Sequence, residues 1–156
     1  AQLDRFLFKL QVNYPSEAEE VHLLTRIKDG ANPQDLSAAA IEEIVSFEEL
    51  GALRQALDGV PATSETLTYI ARLVRATRVM KGVSVGAGPR ASVALFLAAR
   101  ARAGLMGRSF INPDDVKTLA PDVLRHRLIL SGELLLDGIS PDSVVEAILR
   151  SVEVPR

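Results

Sequence analysis

Apolar residues recur at helical spacing through most of the chain, and capping residues announce where the helices begin. Ser16 with Glu19, and Ser46 with Glu49, have the Ser-x-x-Glu spacing in which the hydroxyl accepts the third helical N–H and the carboxylate accepts the serine N–H. Ser64 opens a third helix, while Asn112-Pro113 and Ser140-Pro141 each place a cap before a first-turn proline. The first helix runs to about Asp29, with Leu23, Leu24 and Ile27 on its apolar side and Gly30 as its stop. The second is expected to bury Leu50, Leu53 and Leu57. The third presents Leu67, Ile70, Ala71 and Val74 as a core-facing stripe, so the two should pack together. Residues 89–106 are rich in Ala, Leu and Val on nearly all sides, which marks a central, well-buried helix whose small residues let neighbours approach closely. A short helix with Val116 and Leu119, a further turn through Val123 and Leu124, a short strand over residues 127–130, and a last helix using Val144, Val145 and Ile148 complete the pattern.

Two stretches depart from it. Residues 1–5 read as the tail of a helix, and residues 6–12 alternate apolar and polar side chains as a half-buried strand does. No second apolar run follows soon enough to form a hairpin, so the strand is an orphan whose sheet is expected upstream, and which should otherwise be disordered, rearranged or paired with another copy. Residues 31–45 contain Pro33 and a weak pattern, and are read as loop with a short extended piece at Ile44 and Val45. The fold class is therefore mainly α: a helical bundle with an N-terminal orphan strand and little sheet.

Composition narrows the classes of function. The 156 residues suit one domain with at most a modest appendage, and 47% hydrophobic with 24% charged residues describes a chain able to build a core. A net charge of −2 supplies no overall positive field for nucleic acid or anionic lipid. Zero cysteines exclude disulfides, thiolate metal sites and a cysteine nucleophile, and suit the cytoplasm. No apolar run approaches the roughly 20 residues that cross a bilayer.

Few residues stand out as chemistry. No Gly-x-x-x-x-Gly-Lys-Ser/Thr phosphate loop is present, and residues 82–88 read as a glycine-rich loop leading into a helix. His22 and His126 lack metal-ligand spacing, and the paired carboxylates Glu19-Glu20, Glu42-Glu43, Glu48-Glu49 and Asp114-Asp115 mostly fall in first turns, where negative charge favours the helix dipole. Arg90 stands beside Pro89 at a helix start, against the dipole, and reads either as a solvated arginine or as a contact for a phosphate. Arg5, between helix tail and strand, reads either as a solvent-facing charge or as a group that projects to a neighbour. Arg72, Arg75, Arg78 and Lys81 recur every three residues as a basic ridge, with Arg100 and Arg102 as reinforcement; a solvated face and a site for nucleic acid or an acidic partner both fit.

Five stretches in order add a resemblance: Ala1-Gln-Leu-Asp-Arg-Phe-Leu-Phe-Lys, Tyr14-Pro15-Ser16, Leu73-Val-Arg-Ala-Thr-Arg78, Gly86-Ala-Gly-Pro-Arg-Ala-Ser92 and Asp115-Val-Lys-Thr-Leu-Ala-Pro121-Asp-Val-Leu-Arg-His-Arg127. Together they resemble the C-terminal part of a MoxR-type AAA+ ATPase, with one departure, Gly88 where the family motif has serine. The resemblance implies that residues 1–15 end the nucleotide-binding core (helix tail, last strand, linker) and that residues 16–156 form the helical lid. It implies that Arg5 is the arginine finger, catalytic in trans on the adjacent subunit of a ring, and that Arg90 is the second-sensor arginine, binding the nucleotide of its own subunit. The Walker A and B motifs would lie upstream, so the intact protein would use ATP and Mg, while the isolated fragment would be inactive and need no cofactor. Relatives of this type act as chaperone-like machines in client maturation or metal-cofactor insertion, often with a von Willebrand factor A-like partner. The alternatives are a stand-alone helical nucleic-acid-binding module using the ridge, or an interaction adaptor; neither a membrane nor nucleic acid is an expected partner.

Overall fold

The computed structural model describes residues 2–35 and 42–155. Its helices are α1 (Glu17–Lys28), α2 (Phe47–Asp58), α3 (Ser64–Val79), α4 (Pro89–Leu105), α5 (Pro113–Leu124), α6 (Gly132–Leu136) and α7 (Pro141–Ser151), with short strands β1 (Val83–Val85) and β2 (Ile129–Leu130). Single 3-10 turns occur at Leu3–Arg5 and Arg125–Arg127. The mainly helical fold with a minimal sheet is as the sequence leads one to expect. The chain divides into two compact units, Gln11–Leu53 and the combination of Ala1–Leu10 with Arg54–Arg156.

In the unit Gln11–Leu53, capping chemistry sets the helix starts. Ser16 and Glu19 complete the reciprocal capping box, and Ser46 and Glu49 repeat it with bonds of 2.8 to 3.1 Å. Hydrogen bonds from the serines hold both glutamates below the usual carboxylate range. The apolar side of α1 is not buried: Leu23, Leu24 and Ile27 remain exposed, as do Leu50 and Leu53 of α2, against expectation. An amphipathic stripe reports that a helix has an apolar face, and burial needs a second apolar surface opposite it. Residues 36–41 of the expected loop lie outside the described residues, and Ile44 and Val45 form no strand.

The second unit holds the core. α4 packs on α3 and α5, and α7 closes the other side against α3 and α5. Ala91, Ala94, Ala98, Ala99 and Ala103 bring α4 close to its neighbours, with Leu95, Val116, Val123 and Ile148 filling between them. Leu57 of α2 leans onto Gly104, where any larger side chain would collide with it. The buried side of α3 is shifted from the expected stripe. Thr66, Tyr69, Ile70, Leu73, Val74 and Thr77 face inward, while Leu67 and Ala71 are exposed. The shift brings two threonines inside, each with partners: Thr66 at the cap, and Thr77 at a loop described below. The cap itself is Thr63, one residue before the expected Ser64.

α5 is one helix where a short helix and a further turn were expected, with Pro121 accommodated inside it. Asn112 and Asp115 form its capping box, and the buried Asp115 also takes both guanidinium nitrogens of Arg108, with Arg102 Nε 3.4 Å away. Burial pushes the Asp115 carboxyl up, but the Arg108 hydrogen bonds, the Asn112 N–H and the two guanidinium charges outweigh it and hold it below the usual range. The expected strand at residues 127–130 is shorter, because Arg127 belongs to the 3-10 turn. β2 pairs antiparallel with β1, Val83 opposite Leu130, inside what the sequence shows as a plain loop.

Residues 6–12 form no strand ladder among the described residues, so the expected orphan strand is a correction as well. Its backbone is met by other groups: the Lys9 N–H donates to the Asp122 carbonyl at 2.9 Å, and side chains of Arg125, His126 and Arg127 take its carbonyls. Buried or half-buried backbone polar groups require partners, and arginines supply them here where a neighbouring strand does not.

Candidate functional site

The site is assembled around the start of α4. Residues 86–88 approach α3 closely: a Cβ on Gly86 would lie 2.7 Å from the Arg78 Cα and N, so only glycine fits. Thr77 Oγ1 accepts the Ala87 N–H at 2.9 Å and donates to the Val74 carbonyl at 2.6 Å, while Arg78 Nε donates to the Ala87 carbonyl at 2.8 Å. The N–H and the carbonyl of Ala87, which belong to two successive peptides, are thereby both stitched to the end of α3. Gly88 is the N-cap and offers no side chain to the helix N–H groups, Pro89 fills the first position, and Arg90 the second.

Arg90 projects outward from this fixed base. Its side chain is 60% exposed, and its one ion pair among the described residues is with Asp4, Nη1 to Oδ2 at 3.3 Å. Asp4 sits in the N-terminal 3-10 turn and gives its other oxygen to Arg127 Nε at 3.2 Å. Arg127 is the buried post of the cluster, its side chain only 2% exposed. Nη2 donates to the carbonyls of Asp4 (3.3 Å) and Phe6 (2.6 Å), and Nη1 to those of Leu7 (3.3 Å) and Val123. All five N–H donors of the guanidinium are used. Burial lowers the Arg127 pKa and the Asp4 carboxylate opposes that, leaving a permanent cation.

Beside it, Arg125 bonds Asp142 through Nε (2.8 Å), and Asp122 (2.6 Å) and the Lys9 carbonyl (2.7 Å) through Nη1. His126 Nε2 lies 3.0 Å from the Phe6 carbonyl, which fixes Nε2 as the protonated nitrogen, while Nδ1 is buried with no hydrogen-bond partner among the described residues. A cleft of about 810 Å³ runs past Asp4, Lys9, Gly86, Gly88, Arg125 and His126. Arg5 is exposed next to Asp4, and its side chain makes no hydrogen bond or ion pair among the described residues.

His126 gives this corner a pH dependence. Burial lowers its pKa below the ordinary 6.5, with Arg127 and Lys9 working in the same direction, and the Phe6 hydrogen bond and Asp4 opposing. A depressed folded-state pKa means that the unfolded chain binds the proton first. The associated stability is full above about 6.5 and declines as the pH falls from there towards the folded value. The urea midpoint should therefore fall between about pH 7.5 and 5.5, and fall less in His126→Gln, whose amide can still donate to Phe6.

Of the residues singled out in the sequence, Arg90 pairs with Asp4, the residue that precedes Arg5 in the 3-10 turn. Arg72, Arg75 and Arg78 of the basic ridge stay exposed and line one cavity on α3. Arg78 is drawn to Ala87, Arg100 pairs with Asp58 at 3.0 Å and stacks 4.6 Å over Phe96, and Arg102 lies against Asp115. Among the described residues no group of three or more His, Asp or Glu is arranged to hold a metal ion. No described helix is long and apolar enough to cross a membrane. Sequence reasoning missed Asp4, Thr77 and Arg127. Thr77 carried a signal, a threonine on the buried side of an amphipathic helix two turns before a glycine-rich loop.

Comparison with known proteins places these features in a family. Residues 75–148 match the AAA lid domain. The chain is 38% identical over its full length to the chaperone MoxR1 of Mycobacterium tuberculosis, and 37% identical over 99% of its length to protein YeaC of Bacillus subtilis. It spans 42% and 47% of those relatives, about half their length. A crystal structure of a protein described as an ATPase, from Cytophaga hutchinsonii, superposes with a TM-score of 0.85 at 30% identity, covering 99% of this chain and 48% of that one.

Proposed function

Because the chain belongs to the MoxR family of AAA+ ATPases, we propose that it supplies two arginines to ATP hydrolysis in a ring, Arg90 to the nucleotide of its own subunit and Arg5 to that of the next. In this reading residues 1–15 end the nucleotide-binding core and residues 16–156 are the lid. The observation that carries it is the contrast between a rigid base and a free tip. Residues 86–88 are fastened to α3 through both the N–H and the carbonyl of Ala87, while Arg90 beyond them is 60% exposed and engaged by a single carboxylate.

A phosphoryl group in transfer spreads negative charge over its outer oxygens, and preorganised guanidinium groups stabilise that charge more than they stabilise the ground state. Arg90 is suited to this because the helix N-terminus behind it adds partial positive charge and the loop cannot drift. Magnesium, which accompanies ATP in this chemistry, would be held by residues outside the chain, and no step is assigned to it. The work done with the energy of hydrolysis follows the family: maturation of client proteins or insertion of a metal cofactor, in the cytoplasm, with a von Willebrand factor A-like partner. A relative carrying the name chaperone supports the first part of that statement.

The test is ATP turnover by the full-length gene product against its Arg90→Ala variant at matched oligomeric state. Turnover should fall by about 10²-fold or more. Full activity without Arg90 would end the sensor assignment.

A further inference from the structure

We infer that Asp4 is a positioning residue that ties Arg90 to Arg5, so that nucleotide in one subunit alters how that subunit offers Arg5 to its neighbour. The inference rests on the roles proposed above for the two arginines. Asp4 holds two guanidinium groups with one carboxylate, Oδ1 to Arg127 at 3.2 Å and Oδ2 to Arg90 at 3.3 Å.

The two partners are unequal. Arg127 is buried and anchored by four backbone carbonyls besides the Asp4 carboxylate, whereas Arg90 is largely exposed and, among the described residues, has Asp4 alone. One oxygen is therefore fixed and the other is shared with a side chain free to leave. Two arginines against one carboxylate leave a net positive charge, so an arriving anion is attracted to the cluster. A γ-phosphate carries more charge than a carboxylate and competes with Asp4 for Arg90.

Its loss is felt at Arg5 because of where Asp4 sits. Asp4 and Arg5 are neighbours in a three-residue turn closed by the Arg5 N–H on the Gln2 carbonyl and the Phe6 N–H on the Leu3 carbonyl. Arg127 Nη2 holds the carbonyls of residues 4 and 6, one on each side of Arg5. When Arg90 turns to nucleotide, Asp4 keeps Arg127 and loses its tie to α4, and the turn that presents Arg5 relaxes towards Arg127. Occupancy of the subunit's own site is thus passed to the group it extends to the next.

The test uses the intact protein, a non-hydrolysable ATP analogue for affinity, and steady-state ATP hydrolysis for cooperativity. Asp4→Asn should bind the analogue up to about fivefold more tightly, as expected from removing one exposed ion pair that competes for Arg90. In an Arg90→Ala background the same substitution should leave affinity unchanged, because no competition remains. The Hill coefficient for ATP should fall to about one in Asp4→Asn and stay at the wild-type value in Asp4→Glu, which keeps the carboxylate. An equal shift in both backgrounds would reveal a merely structural role and overturn the inference, as would a wild-type Hill coefficient of one or one unmoved by Asp4→Asn. Wild-type turnover in both Arg90→Ala and Arg5→Ala would instead sink the phosphate roles themselves.

Discussion

Arg5→Ala in the intact protein is expected to lower kcat for ATP hydrolysis by about three orders of magnitude or more, the range over which a trans-acting arginine accelerates phosphoryl transfer. The structure gives the physical reason for expecting so much from one exposed side chain. Every other arginine of this corner is engaged within the chain: Arg127 on carbonyls and Asp4, Arg125 on Asp122 and Asp142, Arg90 on Asp4. The Arg5 side chain has no such partner among the described residues, although Arg127 holds the backbone on both sides of it. A cation displayed on a restrained turn loses little conformational freedom when a neighbour's phosphate arrives. Since Arg5 does not reach its own subunit's nucleotide in this account, affinity for an ATP analogue should stay close to wild type while kcat collapses. Parallel titration and steady-state kinetics separate the two quantities.

Arg127→Met should cost about 3 kcal/mol of folding stability and release residues 2–10 from the helical unit. The side chain is 2% exposed and delivers five charge-assisted hydrogen bonds, four of them to backbone carbonyls that have no strand partner among the described residues. Methionine fills a similar volume and offers no donor, so the Asp4 and Leu7 carbonyls lose this partner while the Phe6 carbonyl keeps His126. Lysine keeps the charge but carries three donors from one point, and should recover only part of the loss. Urea unfolding reads the stability, and limited proteolysis within residues 6–12 reads the release. A midpoint unchanged in Arg127→Met would mean that the network contributes nothing net.

These expectations also show which features a sequence states openly. Helix starts are local chemistry, and Ser16, Ser46, Asn112 and Ser140 cap helices as their spacing indicates. Thr63 was missed because two adjacent hydroxyl residues compete for one cap, and only backbone geometry decides between them. The core stripe of α7 was legible because α3 and α5 cover that face, whereas α4, apolar on nearly all sides, still leaves Val93, Leu97 and Leu105 exposed. The stripes of α1 and α2 were legible as patterns only, since their leucines remain exposed. The orphan strand failed for a related reason: alternation describes a face, while a strand exists by pairing.

At the site, Arg5 and Arg90 stand out in short motifs as candidates, while the Asp4 partner of Arg90 does not. Asp4 is 86 residues from Arg90 and 123 from Arg127, and nothing local marks it. Arg125, His126 and Arg127 all bond the N-terminal segment, and Arg127 is buried. The ridge on α3 illustrates the converse: Arg72, Arg75 and Arg78 share one face as their spacing indicates, and Arg78 also donates to the Ala87 carbonyl.

The most direct measurement of the central claim is ATP turnover in mixed rings of the intact protein. Arg5→Ala subunits and, separately, Arg90→Ala subunits are combined with subunits lacking the phosphate-loop lysine. Turnover should return in the Arg5→Ala mixture, because an intact finger then reaches an intact site across the interface. It should stay absent in the Arg90→Ala mixture, because a site that can bind ATP never meets its own sensor arginine. Recovery in both mixtures, or in neither, would contradict the assignment of one arginine to the neighbouring site and the other to its own.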